Sequence, residues 1–207
     1  MTVETIAIVD YGLCNLDSVR RAVEECGGRP LVTARPEDVA AASRVILPGV
    51  GAFPDAMDNL RGAGLVEALQ RRVVEERRPF LGICLGLQLM ASRSDEGRST
   101  PGLGWIDADV RRIDPGPDGR VPHIGWNEVE RGGDEAVFAR VPSRADFYFV
   151  HSYALCPADT GCVIGWTPYG TARIVSAVRR DNMWGLQFHP EKSQRNGFQV
   201  LRNFIAS

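Results

Sequence analysis

Cys84 stands at the centre of the run Gly82-Ile83-Cys84-Leu85-Gly86, with apolar stretches on both sides. A strand, a sharp turn and a helix in that order form the setting in which G-x-S-x-G enzymes lift a nucleophile above a sheet. The flanking glycines would let neighbouring backbone approach. Sulfur attacks as thiolate, and a free thiol is only about 3% ionised at pH 7. The amides opening the following helix favour the anion, but a helix dipole alone is too weak, so a base is needed, and histidine is the usual one.

Only three histidines are present. His189 lies in Q-F-H-P-E, where Pro190 cannot continue a central strand and Glu191 follows two positions on. Residues i and i+2 of an extended chain face the same way, so Glu191 is expected to hold one imidazole nitrogen and aim the other at sulfur. That is the logic of a triad in the order Cys, His, acid. An acyl-transfer site also needs donors for its oxyanion. Leu-Pro-Gly-Val-Gly at 47–51 presents the amides of Gly49, Val50 and Gly51 just past a strand. One such donor is worth roughly 10²- to 10³-fold in rate. Alone, each motif has a plainer reading as a buried thiol, a strand end or a tight turn; together they describe an active site.

The first half of the chain alternates strands and helices that would position these groups. Residues 5–10, 30–34, 44–47 and 79–84 read as strands. Leu16, Val19, Ala22, Val23 and Cys26 recur at helical spacing, with Asn15 as N-cap and Gly27 as the stop. Residues 36–42 form a short helix, Leu65 to Val73 mark another, and 85–92 (LGLQLMAS) a third. The alternation implies βαβ units in a parallel sheet covered by helices on both faces. Such sheets collect function at the carboxyl ends of their strands, so 11–15, 48–51 and Cys84 should share one rim. After a loop over 92–104 the texture becomes antiparallel: IDADVRRI, a turn cluster at 114–119, HIGWNEV, DFYFVHSY, RIVSAVRR and MWGLQFHP, with a turn at Asp181 and Asn182. A final helix carries Phe198, Leu201 and Ile205.

A chain of 207 residues with 44% hydrophobic and 24% charged content fits one α/β domain over 1–207. A net charge of −2 without a basic stripe argues against nucleic acid. The longest apolar stretch is too short for a bilayer, and the start lacks a basic lead-in, so no membrane or signal segment is expected and the compartment is read as cytoplasmic. Five cysteines (Cys14, Cys26, Cys84, Cys156, Cys162) without a C-x-x-C exclude a disulfide framework and a zinc site. The reading calls for no metal and no cofactor.

The segments LPGVGAFPDAM, GICLGLQLM and QFHPEKSQ together resemble a class I, triad-type glutamine amidotransferase domain over nearly the whole chain. The resemblance implies a flavodoxin-like central sheet, mostly parallel, with additional antiparallel strands in the second half. In that family the cysteine attacks the side-chain amide of glutamine, ammonia leaves, and water hydrolyses the glutamyl thioester. It implies Cys84 as nucleophile, His189 as general base and acid, Glu191 as its orienting partner, and Gly49, Val50 and Gly51 as the oxyanion loop. Gln88, His151, Ser152 and Tyr153 would approach glutamine, whereas His123 is read as having no role. With DYGLCNLDSV, HIGWNEV and YFVHSYAL added, the order of segments is similar to members that pass ammonia through a tunnel to a separate (β/α)₈ cyclase in a heterodimer. Asn15, Trp126 and Lys192 would lie at that contact, although a core position for Trp126 fits its residue type equally. One departure is Cys14, where the family has a second glycine; a positive φ there would strain the loop.

Three other readings stand beside this one. A Cys-variant α/β hydrolase would draw its acid from Asp159 or Asp181, before the histidine. A flavodoxin-like interaction subunit would need no chemistry. A paralogous amidotransferase would share the triad and feed another acceptor.

Overall fold

The computed structural model describes residues 4–117 and 119–207. The first half winds as β1 (Ile6–Val9), α1 (Leu16–Glu25), β2 (Pro30–Thr33), α2 (Pro36–Ala41) and β3 (Arg44–Leu47). Then come α3 (Phe53–Gly62), α4 (Leu65–Leu69), β4 (Phe80–Ile83) and α5 (Leu85–Gln88). A small-sheet segment follows, with β5 (Ala91–Ser94), β6 (Thr100–Pro101) and β7 (Ile106–Arg112). The remainder is β8 (His123–Arg131), β9 (Arg144–His151), β10 (Tyr153–Pro157), β11 (Val163–Tyr169), β12 (Ala172–Arg180), β13 (Met183–Leu186) and α6 (Gln194–Ile205).

The central sheet has the order β2-β1-β3-β4-β13-β12-β11-β8-β9. Its first five strands are parallel, the flavodoxin-like 2-1-3-4-5 arrangement, and the last four continue it antiparallel. Alternation along β1 sends Ile6 and Ile8 to one face with Val19, Ala22 and Val23 of α1 and Val200, Leu201 and Phe204 of α6. Ala7 and Val9 face the other side, with α2, α3 and α4. Burying each large side chain of this kind contributes about 1.5–3 kcal/mol. A second sheet, β10-β7-β5-β6, packs on the α3 side. Among the described residues no helix is long and apolar enough to cross a membrane.

The helix expected over 85–92 stops after Gln88. The carbonyls of Leu89 and Met90 accept from Leu103, Trp105 and Ile106, and Ala91 onward pairs with β7, so tertiary partners replace the next helical turn. The expected loop over 92–104 accordingly contains β6 and part of β5. Helix α3 and strand β11 have no counterpart among the elements expected from the sequence. Asn15 does occupy the N-cap position of α1, but its side chain makes no capping bond. Of the turn cluster at 114–119, Asp118 lies outside the described residues. Cys14 is absent from the positive-φ residues; Gly12 takes that role at φ 88°, so Cys14 replaces glycine without backbone strain.

Candidate active site

The three loops expected on one rim meet there. Val50 N–H donates to Leu13 C=O (2.8 Å), and Tyr11 Oη and the Cys14 thiol both donate to Pro48 C=O (2.8 and 3.5 Å). A Cβ on Gly49 would fall 2.1 Å from Tyr11 Oη, so glycine is what lets the tyrosine reach under the loop. Burial pushes the Cys14 thiol up to about 11, which keeps it protonated.

Cys84 has φ 54° and ψ −106°, a conformation that costs on the order of 1–3 kcal/mol outside glycine. Its N–H continues the sheet by bonding Leu186 C=O (2.7 Å), while its own C=O accepts from Leu87 and Gln88. The chain thus turns from strand to helix within one residue. The glycines make that possible: a Cβ on Gly86 would lie 1.8 Å from the Leu47 oxygen, and one on Gly82 would lie 2.6 Å from the Gly86 oxygen.

His189 leaves the end of β13 with its N–H on Tyr148 C=O (2.9 Å). Its Nδ1 bonds Glu191 Oε1 at 2.8 Å, and both side chains are buried. The geometric reason differs from the extended pairing expected. Pro190 begins a one-turn 3₁₀ helix, Pro190–Lys192, and that turn brings Glu191 back onto the ring. Ser193 secures the turn by donating to His189 C=O (2.6 Å) and accepting from Tyr148 N–H (3.0 Å). Burial would depress the His189 pKa, but the Cys84 sulfur and the Glu191 carboxylate outweigh it and hold the imidazole well above its ordinary value. Among the described residues Nε2 is buried with no hydrogen-bond partner of strict geometry, and the neighbouring Cys84 sulfur acts on it through charge and a looser hydrogen-bond contact.

Cys84 opens onto a pocket of about 300 Å³ bordered by Val50, Gly51, Gln88, Glu96, His151 and Tyr153, with Ser152 also at its wall. Gln88 Nε2 donates to Tyr153 C=O (2.9 Å). His151 borders the pocket with both ring nitrogens engaged inside the protein. Nδ1 donates to Tyr153 C=O (2.7 Å), so Nε2 must accept, and it does so from His123 Nδ1 (3.0 Å). His123 in turn takes Asn127 Nδ2 on Nε2 (3.3 Å) and stacks on Phe149. Burial pulls both rings down, His151 to about 3 and His123 to about 4, so the pair is neutral. The Tyr153 carbonyl thus sets the tautomer of His151, and His151 that of His123, so His123, read from the sequence as having no role, is hydrogen-bonded to a residue bordering the pocket.

Glu96 was not anticipated. It is the sole carboxylate among the residues bordering the pocket, its pKa raised by burial, and its Oε2 accepts the Phe53 N–H that opens α3. Nothing in the local sequence SDEGRST marks it, because its partner lies 43 residues away. Asp159 caps a 3₁₀ turn at Gly161, and Asp181 lies at the amino end of β13, opposite the Cys84 rim. Neither is placed to serve His189. Asn15 and Trp126 are exposed, Trp126 by 49%, which rules out its core position, and Ile124 beside it is 59% exposed. Lys192 is half-buried, with Nζ 5.8 Å from the Tyr148 ring. Among the described residues no group of His, Cys, Asp or Glu converges as a metal site.

A doubly wound sheet here presents a strained cysteine beside a buried His–Glu pair, the arrangement of groups that acyl transfer through a thiol requires. Residues 7–207 match the model of glutamine amidotransferase class-I, and the chain belongs to that family. It is 50% identical over 199 residues to imidazole glycerol phosphate synthase subunit HisH of Moorella thermoacetica, covering 96% of this chain and 93% of that protein. Subunit HisH 2 of the same synthase in Nitrobacter winogradskyi is 45% identical, with 97% of each chain covered. Among solved structures, a putative GMP synthase component from Thermoplasma acidophilum shares the fold at TM-score 0.73 and 20% identity, covering 100% of this chain and 94% of that one.

Proposed function

We propose that this chain, as one amidotransferase domain, is the glutaminase subunit of an imidazole glycerol phosphate synthase. It hydrolyses glutamine to glutamate and ammonia and passes the ammonia to a (β/α)₈ cyclase partner. The observation that carries the glutaminase part is the buried Nε2 of His189 beside the sulfur of strained Cys84, at the wall of a pocket that also holds a carboxylate. The cyclase partner is supported by the relatives' names.

In this reading Cys84 gives its proton to His189 Nε2, and the imidazolium is held by Glu191. The thiolate attacks the side-chain carbonyl carbon of glutamine, forming a C–S bond and an oxyanion. Leu85 N–H, at the first turn of α5 where amides lack intrahelical partners, is one donor to it. His189 then protonates the departing nitrogen, ammonia leaves, and a thioester remains. Water, deprotonated by the same nitrogen, attacks the thioester; glutamate leaves and the thiol is restored. Glu96 pairs with the α-ammonium of glutamine, and Gln88, Ser152 and Tyr153 border its path.

The loop of Gly49, Val50 and Gly51 supplies a second oxyanion donor only after rearrangement, because Val50 N–H is taken by Leu13 C=O. Docking at Asn15, Trp126 and Lys192 is the event that releases it. Mixing the chain with a candidate cyclase and its ribonucleotide acceptor is therefore expected to raise glutaminase turnover at least about 10²-fold, the value of one oxyanion donor. Cys84→Ala is expected to abolish glutamate release while the complex still forms. Full turnover by the isolated chain, or turnover surviving Cys84→Ala, defeats the proposal.

A further inference from the structure

Gln187 lies between β13 and His189 and is completely buried, yet the mechanism above does not use it. A buried amide needs partners for an oxygen and an N–H₂ group. Its Oε1 accepts from Gln88 Nε2 (3.1 Å), and its Nε2 points at Cys84 Sγ (3.6 Å).

The donor sense of this arrangement is determined by a backbone atom. The Tyr153 carbonyl can only accept, and it takes Gln88 at 2.9 Å and His151 at 2.7 Å. Gln88 must therefore face it with nitrogen. The same nitrogen faces Gln187, which must answer with oxygen and so turn its own N–H toward sulfur. The opposite orientation of Gln187 would set two amide nitrogens against each other and an oxygen against the thiolate.

We propose that Gln187 is a catalytic residue, an amide donor that stabilises the Cys84 thiolate during proton transfer to His189. The assignment rests on the glutaminase reading of the site. No proton leaves Gln187: the thiol proton goes to His189 Nε2, and the Gln187 N–H bonds to the sulfur lone pair left behind. When the thioester forms, sulfur loses its charge and the bond weakens, so the donor acts on the attacking state more than on bound glutamine. A donor held in place beforehand needs no reorganisation at the moment of reaction. Two neighbours help define the site: the Val150 carbonyl stands 3.9 Å from sulfur and suits the thiol, whereas Gln187 suits the anion.

The test uses the full chain and follows iodoacetamide alkylation of Cys84, mapped by mass spectrometry to separate it from the other four cysteines, across pH 6–9. Gln187→Met keeps length and removes the donor. It is expected to slow Cys84 alkylation at pH 7 about 10-fold and move the pH profile upward. With partner present, kcat for glutamine falls by a similar factor and KM changes less than about 2-fold, as for an interaction absent from bound substrate. Gln187→Glu, with a carboxylate facing sulfur, slows alkylation further. A folded Gln187→Met protein with wild-type alkylation and kcat, even if less stable, overturns the proposal. If both variants misfold, the wild-type Gln187 side-chain amide resonance is followed by NMR. It is expected to move along the alkylation profile, and a resonance indifferent to pH overturns the assignment. Alkylation needs no glutamine, so a wild-type chain that gains no glutaminase activity with its cyclase partner and acceptor present would refute the proposed function without touching this result.

Discussion

In the parallel half of the sheet the site is held by backbone, and in the antiparallel half by side chains. Cys84 is aimed by its φ of 54°, by a strand bond to Leu186 and by two glycines that bring Leu47 and Gly86 within contact distance. The opposite wall, from β8 to β10, is aimed by Asn127, His123 and His151 in one donor sequence that ends on the Tyr153 carbonyl. A backbone device tolerates almost no added atom, because main chain has nowhere to move. A side-chain device tolerates changes of shape but depends on protonation. Cys84, the nucleophile of the proposed reaction and the group whose position would have the steepest effect on its rate, is held by the stiffer of the two.

Four perturbations test that contrast. The junction between the halves carries the largest expected effect. Glu191→Gln keeps the shape of the 3₁₀ turn but removes the charge holding His189, and glutaminase kcat should fall roughly 10²- to 10⁴-fold. A loss under about 10-fold would mean the histidine is held by its surroundings alone.

Gly86→Ala comes next and attacks the backbone half directly. With a Cβ 1.8 Å from the Leu47 oxygen, β3 or α5 must shift, and denaturant unfolding should show a loss of about 3 kcal/mol. A neutral result would show the elbow to be adjustable.

Acid should act on the side-chain half. His151 titrates near 3 when folded and near 6.5 when unfolded, so between those values the unfolded chain binds the extra proton. Stability then rises with pH through that window and falls as pH drops. At pH 5 the burial-lowered rings of His151 and His123 together cost on the order of a few kcal/mol, and the difference between unfolding free energies at pH 7.5 and 5 reads that loss less the smaller opposite change from His189. His189 has the opposite sign. Its folded pKa is raised, so its contribution is present below the unfolded value and disappears as pH rises through the folded one. A stability curve flat from pH 7.5 to 5 would remove the contrast between the halves.

The smallest effect is expected from Asn127→Ala, which ends the donor sequence at its far side and frees Pro168 C=O. About 1 kcal/mol of stability should be lost, with glutaminase KM unchanged. A large KM effect would show that the wall transmits strain to the pocket.

The motifs legible beforehand were those confined to a few neighbouring residues. Gly-x-Cys-x-Gly encodes part of its turn within the motif, where a side chain at 82 would strike the Gly86 backbone, whereas the bar to a side chain at 86 comes from Leu47 on the neighbouring strand. Pro190 encodes the break that puts Glu191 on His189, though as a 3₁₀ turn instead of an extended pair. The run LGLQLMAS misled because its apolar residues suit either a helix or a buried strand, and only the amides of 103–106 decide between them. Helix α3 carries no local side-chain cap, because the amide that opens it is satisfied by Glu96, 43 residues along the chain.

By itself, then, the sequence singled out Cys84, His189, Glu191, the glycine loop and the βαβ half of the sheet, since each is marked by a short motif or by short apolar periods. Tertiary structure alone decided which buried polar groups meet. Gln187 and Cys84 are 103 positions apart, and His123 and His151 are 28 apart. Their types announce only that partners are needed, because a buried polar atom must be satisfied. Strand order chooses the partner, and no local pattern records strand order.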